Sequence, residues 1–289
     1  MHALRLALAA ALVAGSSFAA QAACLGDAEV AALAEALAAR TPAANPKGLN
    51  EADAACSRAK LLTHLAARHG AVVGYKAGLT NPAVQKRFNH DRPVWGVLYR
   101  SMLLPAGTSV EAGFGARPLY EADLLVRVKS TSIHQAKTPA DVLDAIDQVI
   151  PFIELPDLVV QAPPQLDGHA ISAINVGARL GILGTPIAVP PTRAERYALL
   201  DGLRDMTVVM NDTRGAELAR GRGSDVLGHP LNAVVWLAEA LAKEGLAMKP
   251  GDLISVGSFS PLLPPRAGLG VTVSYIGLPE AAPVSVSFK

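Results

Sequence analysis

The chain has 289 residues and a formal net charge of +1, with 26 Lys and Arg set against 25 Asp and Glu. That balance leaves no basic stripe for nucleic acid and no acidic excess, so partners must be sought in local sites. Hydrophobic residues make up 51% and aromatic residues only 4%, which implies an aliphatic core in one large or two modest domains.

The N-terminus reads as an export signal. Residues 1–22 carry His2 and Arg5, then an apolar run at 6–15, then small residues ending Ala20-Gln21-Ala22, the pattern of a signal peptide cleaved after Ala22. The run is well short of the roughly 20 residues that span a bilayer. A lipid anchor on Cys24 calls for an aliphatic residue three places earlier, where Gln21 stands. The mature chain is therefore expected in the periplasm or outside the cell, free of the membrane. Cys24 and Cys56 are the only two cysteines, and in an oxidising compartment they are expected to pair.

Two helices follow, at 27–40 and 51–69, each with apolar residues every third and fourth position, joined by a loop containing Pro42, Pro46 and Gly48. From residue 71 the texture changes to β-branched runs at 71–75, 122–128, 149–155 and 206–210, which predict strands. The turn residues at 211–215 fold 206–218 into a hairpin. A helix is predicted at 230–243, with Leu231, Val234, Leu237 and Leu241 on one face and Pro230 in its first turn. Strands return at 271–275 and 284–288. The pattern is an α+β fold: a helical segment at 23–70 ahead of a β-rich domain at 71–289.

Three acids lie inside apolar strand-like runs: Glu121 and Asp123 in Tyr120-Glu121-Ala122-Asp123-Leu124, and Glu154 in Phe152-Ile153-Glu154-Leu155. Residues two apart on a strand share a face, so Glu121 and Asp123 project together, and a neighbouring strand can bring Glu154 beside them. Buried together, three carboxylates repel one another and need a cation. An all-oxygen set suits Mg²⁺, Mn²⁺ or Ca²⁺ better than zinc. The spacing alone equally fits acids on a solvated strand face, paired with Arg117 and Arg127.

Four motifs carry a resemblance to a known family. Gly74-Tyr75-Lys76-Ala77-Gly78-Leu79-Thr80 resembles a GYKIGLT segment, and Glu121-Ala122-Asp123 an E-x-E metal pair with Asp in second place. Ile153-Glu154-Leu155-Pro156-Asp157 resembles the segment holding a third ligand, and Val226-Leu227-Gly228-His229-Pro230-Leu231-Asn232-Ala233 opens a long, specific match. On these residues the chain resembles the 2-keto-4-pentenoate hydratase and 4-oxalocrotonate decarboxylase branch of the fumarylacetoacetate hydrolase superfamily.

The resemblance implies a rolled mixed β-sheet core, a homo-oligomer, and a divalent metal, Mg²⁺ or Mn²⁺, on Glu121, Asp123 and Glu154. It implies a small 2-oxo acid or 2-hydroxydienoate as substrate, chelated as an enolate by the metal. Lys76 and Asp91 match catalytic positions, and Asn175, Arg179, Gly257 and Ser258 fall where the substrate is held. Two segments depart from the branch. Ile174-Asn175-Val176-Gly177-Ala178-Arg179 stands in place of D-N-A-S-S-G, and Val256-Gly257-Ser258-Phe259-Ser260 in place of S-G-S-L-T. A hydratase is the first expectation and a decarboxylase on the same site the second. A carbon-carbon hydrolase needs a His and acid pair that neither His90 nor His169 supplies. A non-catalytic periplasmic binding protein for a 2-oxo acid is the expectation from another class.

Overall fold

The computed structural model describes residues 24–289, so the expected signal segment and its cleavage point lie outside the described residues. Helix α1 (Asp27–Ala39) buries Val30, Leu33 and Leu37 and packs against α2 (Glu51–His69). A reciprocal cap starts α2: Asn50 Oδ1 accepts from Asp53 N at 2.9 Å, and Asp53 Oδ2 accepts from Asn50 N at 3.0 Å. The expected disulfide is present, with Cys24 and Cys56 joined at 2.06 Å.

Thirteen strands and five more helices follow. Strand β1 (Val72–Gly78) runs into α3 (Pro82–Arg87), β2 (Val94–Tyr99), β3 (Leu103–Pro105) and β4 (Ser109–Val110). Next come β5 (Glu121–Val128), α4 (Pro139–Ala145), β6 (Ile146–Leu155), α5 (Gly168–Ala173), β7 (Leu180–Leu183) and β8 (Ile187–Ala188). The chain ends with α6 (Arg193–Asp205), β9 (Thr207–Asp212), β10 (Glu217–Arg222), α7 (Pro230–Lys243), β11 (Leu253–Ser255), β12 (Gly270–Ile276) and β13 (Val284–Phe288).

The α+β expectation holds, and the 206–218 hairpin is the antiparallel pair of β9 and β10. Helix α7 starts where Pro230 places it, with His229 Nδ1 accepting from Leu231 N at 3.1 Å. Helix α6 was not expected from the pattern. Its 13 residues bury only Leu199, Gly202 and Leu203, too thin an apolar stripe to stand out.

Two curled sheets form the body. The first has the order β2-β1-β11-β5-β6-β7-β3, with β8 also paired to β6; the second is β10-β9-β12-β13-β4. Two polar devices hold the pieces in register. Buried Arg58 on α2 donates to Ser172 and Glu244, each at 2.6 Å, with its guanidinium 3.6 Å from the Trp95 ring centroid. Trp95 Nε1 donates to the same Glu244 at 3.0 Å, so α2, α5, the end of α7 and β2 share one network. From the second sheet, the Tyr275 hydroxyl donates to Asp123 O at 2.6 Å and accepts from Phe152 N at 3.1 Å. Asp123 and Phe152 are partners across β5 and β6, so Tyr275 clamps the ladder where the acids lie.

Candidate active site

Glu121 and Glu154 are direct partners across the antiparallel β5–β6 ladder, and Asp123 stands two residues along β5 from Glu121. Directly opposed side chains are close neighbours on one face, and like charges there repel. All three acids are buried: Glu121 is 8% exposed, Asp123 0% and Glu154 2%. The solvated-face alternative is thereby excluded. Arg127 instead pairs with Asp147 at 2.7 Å, and Arg117 donates to backbone carbonyls.

Lys76 reaches the acids from β1. Strand β1 extends beyond the expected 71–75 to Gly78, which places Lys76 inside the sheet, beside Ser255 of β11. Its ammonium is buried, ion-pairs with Glu154 Oε1 and donates to Val176 O at 3.0 Å. That carbonyl is aimed by a run of left-handed residues, Asn175 at φ 56°, Val176 at φ 53° and Gly177 at φ 65°. A β-branched residue in this region is strained and persists only if its surroundings fix it. Asn175 does the fixing: its Oδ1 accepts from Val97 N at 2.7 Å and its Nδ2 donates to Val97 O at 3.1 Å.

Asp123 is held differently from its neighbours. Its Oδ1 accepts from Leu124 N at 2.6 Å and Gly257 N at 2.9 Å, and its Oδ2 accepts from Ser255 Oγ at 2.5 Å. Gly257 can present that N–H because its φ is +99° and a Cβ would sit 2.1 Å from Thr80 Oγ1. Glu154 receives no hydrogen bond at either oxygen, leaving Lys76 as its compensation. Burial, then the charge of Glu154, pushes the Glu121 and Asp123 carboxyls well above the ordinary carboxylate range.

The donor set is oxygen only, buried and negative, and one carboxylate lacks hydrogen bonds. That chemistry fits a hard divalent cation. The three acids are not drawn into a cage, however. Among the described residues no three Asp, Glu, His or Cys side chains stand at metal-ligand spacing from one another. Asp123 is turned to Ser255 and Gly257, and Glu154 to Lys76.

A cavity of about 360 Å³ opens on this cluster, its wall including Lys76, Glu121, Thr80, Val176, Gly257 and Ser258. Gly257 and Ser258 are thus brought to the site. Asn175 and Arg179 are not among its lining residues. Asn175 spends its whole amide on β2, and half-buried Arg179 donates to Phe114 O at 3.2 Å. Asp91 is also elsewhere: its side chain is 80% exposed and bonded to Arg92 at 3.0 Å. It lines a separate hollow with Glu51, Lys86, His90 and His169, the two histidine rings meeting edge to face at 5.1 Å. Residues that motif reading missed include Ser255, which fixes Asp123, and Arg87 and Arg220 on the cavity wall.

No protein-family model matches the chain. It is 31% identical over 209 residues to 2-keto-4-pentenoate hydratase 2 of Dechloromonas aromatica, covering 72% of this chain and 75% of the relative. It is 32% identical over 212 residues to 4-oxalocrotonate decarboxylase of a Pseudomonas strain, covering 73% and 76%. Among solved structures, 4-oxalocrotonate decarboxylase from Pseudomonas putida G7, complexed with magnesium and adipate, matches with a TM-score of 0.77 at 28% identity, covering 92% of this chain and 99% of that one. Fold and site define a fumarylacetoacetate hydrolase-like protein. The chain belongs to the 2-keto-4-pentenoate hydratase and 4-oxalocrotonate decarboxylase branch of that superfamily.

The raised carboxyls carry a testable pH dependence. Without divalent metal, ionising Glu121 costs stability, because its folded pKa lies above that of the unfolded chain. The cost is absent below the unfolded value near 4.5, grows as pH rises from there to the raised folded value, and is full above it. Glu121→Gln removes it. In EDTA, the urea stability of Glu121→Gln relative to wild type should therefore rise from pH 4.5 toward neutrality, and Mg²⁺ should reverse the trend. A difference that stays flat across that interval would contradict the assignment.

Proposed function

We propose that the protein is a metal-dependent lyase that hydrates a small 2-hydroxydienoate, the enol of an unsaturated 2-oxo acid. The observation that carries this is the pair Lys76 and Glu121 at the floor of the cavity, with buried Glu154 set against both. Relatives of the same branch, named as hydratases and decarboxylases, support it, as does a decarboxylase structure holding magnesium.

Glu121 and Glu154, with Asp123 once released from Ser255, are the residues to hold Mg²⁺ or Mn²⁺. A divalent cation bound there supplies a Lewis acid for the carboxylate and C2 oxygen of the substrate. The chain's own groups supply the rest. Ketonisation moves the C2 hydroxyl proton to the far carbon of the dienol, and Lys76 Nζ holds a positive charge for the C2 oxygen, where negative charge stands between the two proton transfers and returns when water adds. Gly257 and Ser258 line the same wall, where the substrate carboxylate would lie. Buried apolar walls, Leu79 and Phe88 among them, limit water at the hydrocarbon tail. Water then adds to the enone.

Decarboxylation of a vinylogous 2-oxo acid is the second reading, since 31% and 32% identity to the two kinds of enzyme does not separate them. Named relatives are enzymes, so the non-catalytic binding reading draws no support from them. The deciding experiment assays purified protein with Mg²⁺ or Mn²⁺ against 2-hydroxydienoates and 2-oxo acids. Loss of the dienol absorbance without carbon dioxide release identifies the hydratase. Carbon dioxide release identifies the decarboxylase, and no turnover on any of them overturns both.

We also propose export to an oxidising compartment, on the leader-like residues 1–22 and the Cys24–Cys56 bond. Mass spectrometry of periplasmic protein should find a chain starting at Ala23 with no alkylatable thiol. A retained N-terminus with two free thiols would place the protein in the cytoplasm.

A further inference from the structure

We propose that Tyr275 is a positioning residue for the metal ligands: its hydroxyl, reaching in from the second sheet, fixes the strand spacing from which Glu121, Asp123 and Glu154 can meet one divalent ion. The inference rests on the reading of these acids as a metal site.

The pattern of β12 makes a hydroxyl at this position unexpected. Residues two apart on a strand share a face, and on β12 that face carries Val271, Val273 and Tyr275, at 1%, 0% and 4% exposure. The phenol oxygen is the only polar side-chain atom among the three. Buried without partners it would destabilise packing that a phenylalanine ring supplies equally well. Tyr275 instead commits it to the β5–β6 ladder. The oxygen accepts from Phe152 N at 3.1 Å and stands 2.6 Å from Asp123 O and 2.9 Å from Phe152 O, the two carbonyls that can take its proton. Burial holds the phenol well above its ordinary pKa, so it remains a donor.

The place of these bonds gives them a consequence for the acids. Asp123 and Phe152 face each other two residues along from the Glu121 and Glu154 pair, so the hydroxyl spans both ligand-bearing strands beside the glutamates. Asp123 is thereby held from two sides, its carboxylate by Leu124 N, Gly257 N and Ser255 Oγ, and its main chain by Tyr275. Phe152 has little room to yield, because its ring packs over Gly181, where a Cβ would sit 2.0 Å from the ring Cζ. Ligands shared between two strands depend on the spacing of those strands, and Mg²⁺ demands near-ideal octahedral geometry. Outer partners that orient metal ligands are worth about 10- to 100-fold in affinity.

The test compares the full protein with Tyr275→Phe, which keeps the ring and removes one oxygen. Calorimetry in the absence of substrate should show Mg²⁺ affinity lowered by about tenfold or more. Tyr99→Phe is the control, since it removes another buried hydroxyl, one that donates to Leu62 O of α2 at 3.1 Å. Urea melts in EDTA should show both variants folded and less stable than wild type, and Mg²⁺ affinity should fall in Tyr275→Phe alone. Affinity unchanged by Tyr275→Phe, or lowered as much by Tyr99→Phe, overturns the inference while leaving the metal site standing. If Tyr275→Phe does not fold, wild type labelled at tyrosine Cζ decides: the Tyr275 resonance should move when Mg²⁺ is added, and an unmoved resonance overturns the inference. Wild type that binds no divalent ion overturns the metal reading, and the inference with it.

Discussion

Lys76→Met is expected to keep bound Mg²⁺ and to lose turnover by roughly 10²-fold or more, in line with other electrostatic and proton-transfer groups. Charge counting leads there. Three carboxylates and one divalent ion leave the site about one unit negative, and a bound enolate dianion makes it more so. Lys76 is the ammonium placed to balance that charge, buried and in contact with Glu154. The opposing effect is structural. Removing one partner of a buried ion pair costs about 3 to 5 kcal/mol, because the other charge is left uncompensated. Metal on Glu154 replaces that compensation, so the comparison belongs at saturating Mg²⁺, with metal content and turnover measured on one preparation. Turnover that falls only in proportion to metal content would reduce Lys76 to a counter-ion. Affinity for a ground-state analogue such as oxalate should fall less than turnover.

The scaffold of the site was legible in the sequence because it rests on strand patterns. Acids at positions 121, 123 and 154 inside apolar runs pointed to one shared face, and the sheet buries it and turns Glu121 and Glu154 into cross-strand partners. The cysteine pair and helix α7 were equally plain, one from chemistry and the other from Pro230 and a broad apolar face. Residues on irregular backbone were harder. Asn175 matched a substrate-binding position, yet in a run of left-handed residues its amide serves the β2 backbone and aims Val176 O at Lys76. Nothing in a linear pattern announces positive φ at a valine. Asp91 sits beside Arg92 and Pro93, and no spacing rule tells that the turn directs it to a hollow apart from Lys76. Ser255 escaped notice because its partner, Asp123, is 132 residues away.

The three acids are not equivalent, and their hydrogen bonds predict how metal binding responds to each. Glu154 is engaged only by Lys76, at Oε1, and Glu121 faces the cavity, so Glu154 Oε2 and the Glu121 carboxylate are available to a cation. Glu154→Gln and Glu121→Gln each replace a charged ligand by a weaker neutral oxygen. Each should weaken Mg²⁺ or Mn²⁺ binding by at least about tenfold, the lower end of what the loss of even an outer partner costs. Asp123→Asn should behave differently. Its carboxylate is satisfied by Leu124 N, Gly257 N and Ser255 Oγ, and an amide NH₂ set against those donors destabilises the turn itself. The expected signature is a lower unfolding midpoint in EDTA as well as weaker metal binding, whereas Glu121→Gln loses metal with the fold retained. Calorimetric titration beside urea melts separates the two patterns. Metal affinity unchanged by both glutamate substitutions would mean that the acids serve only the internal charge network with Lys76, and that the cation binds elsewhere.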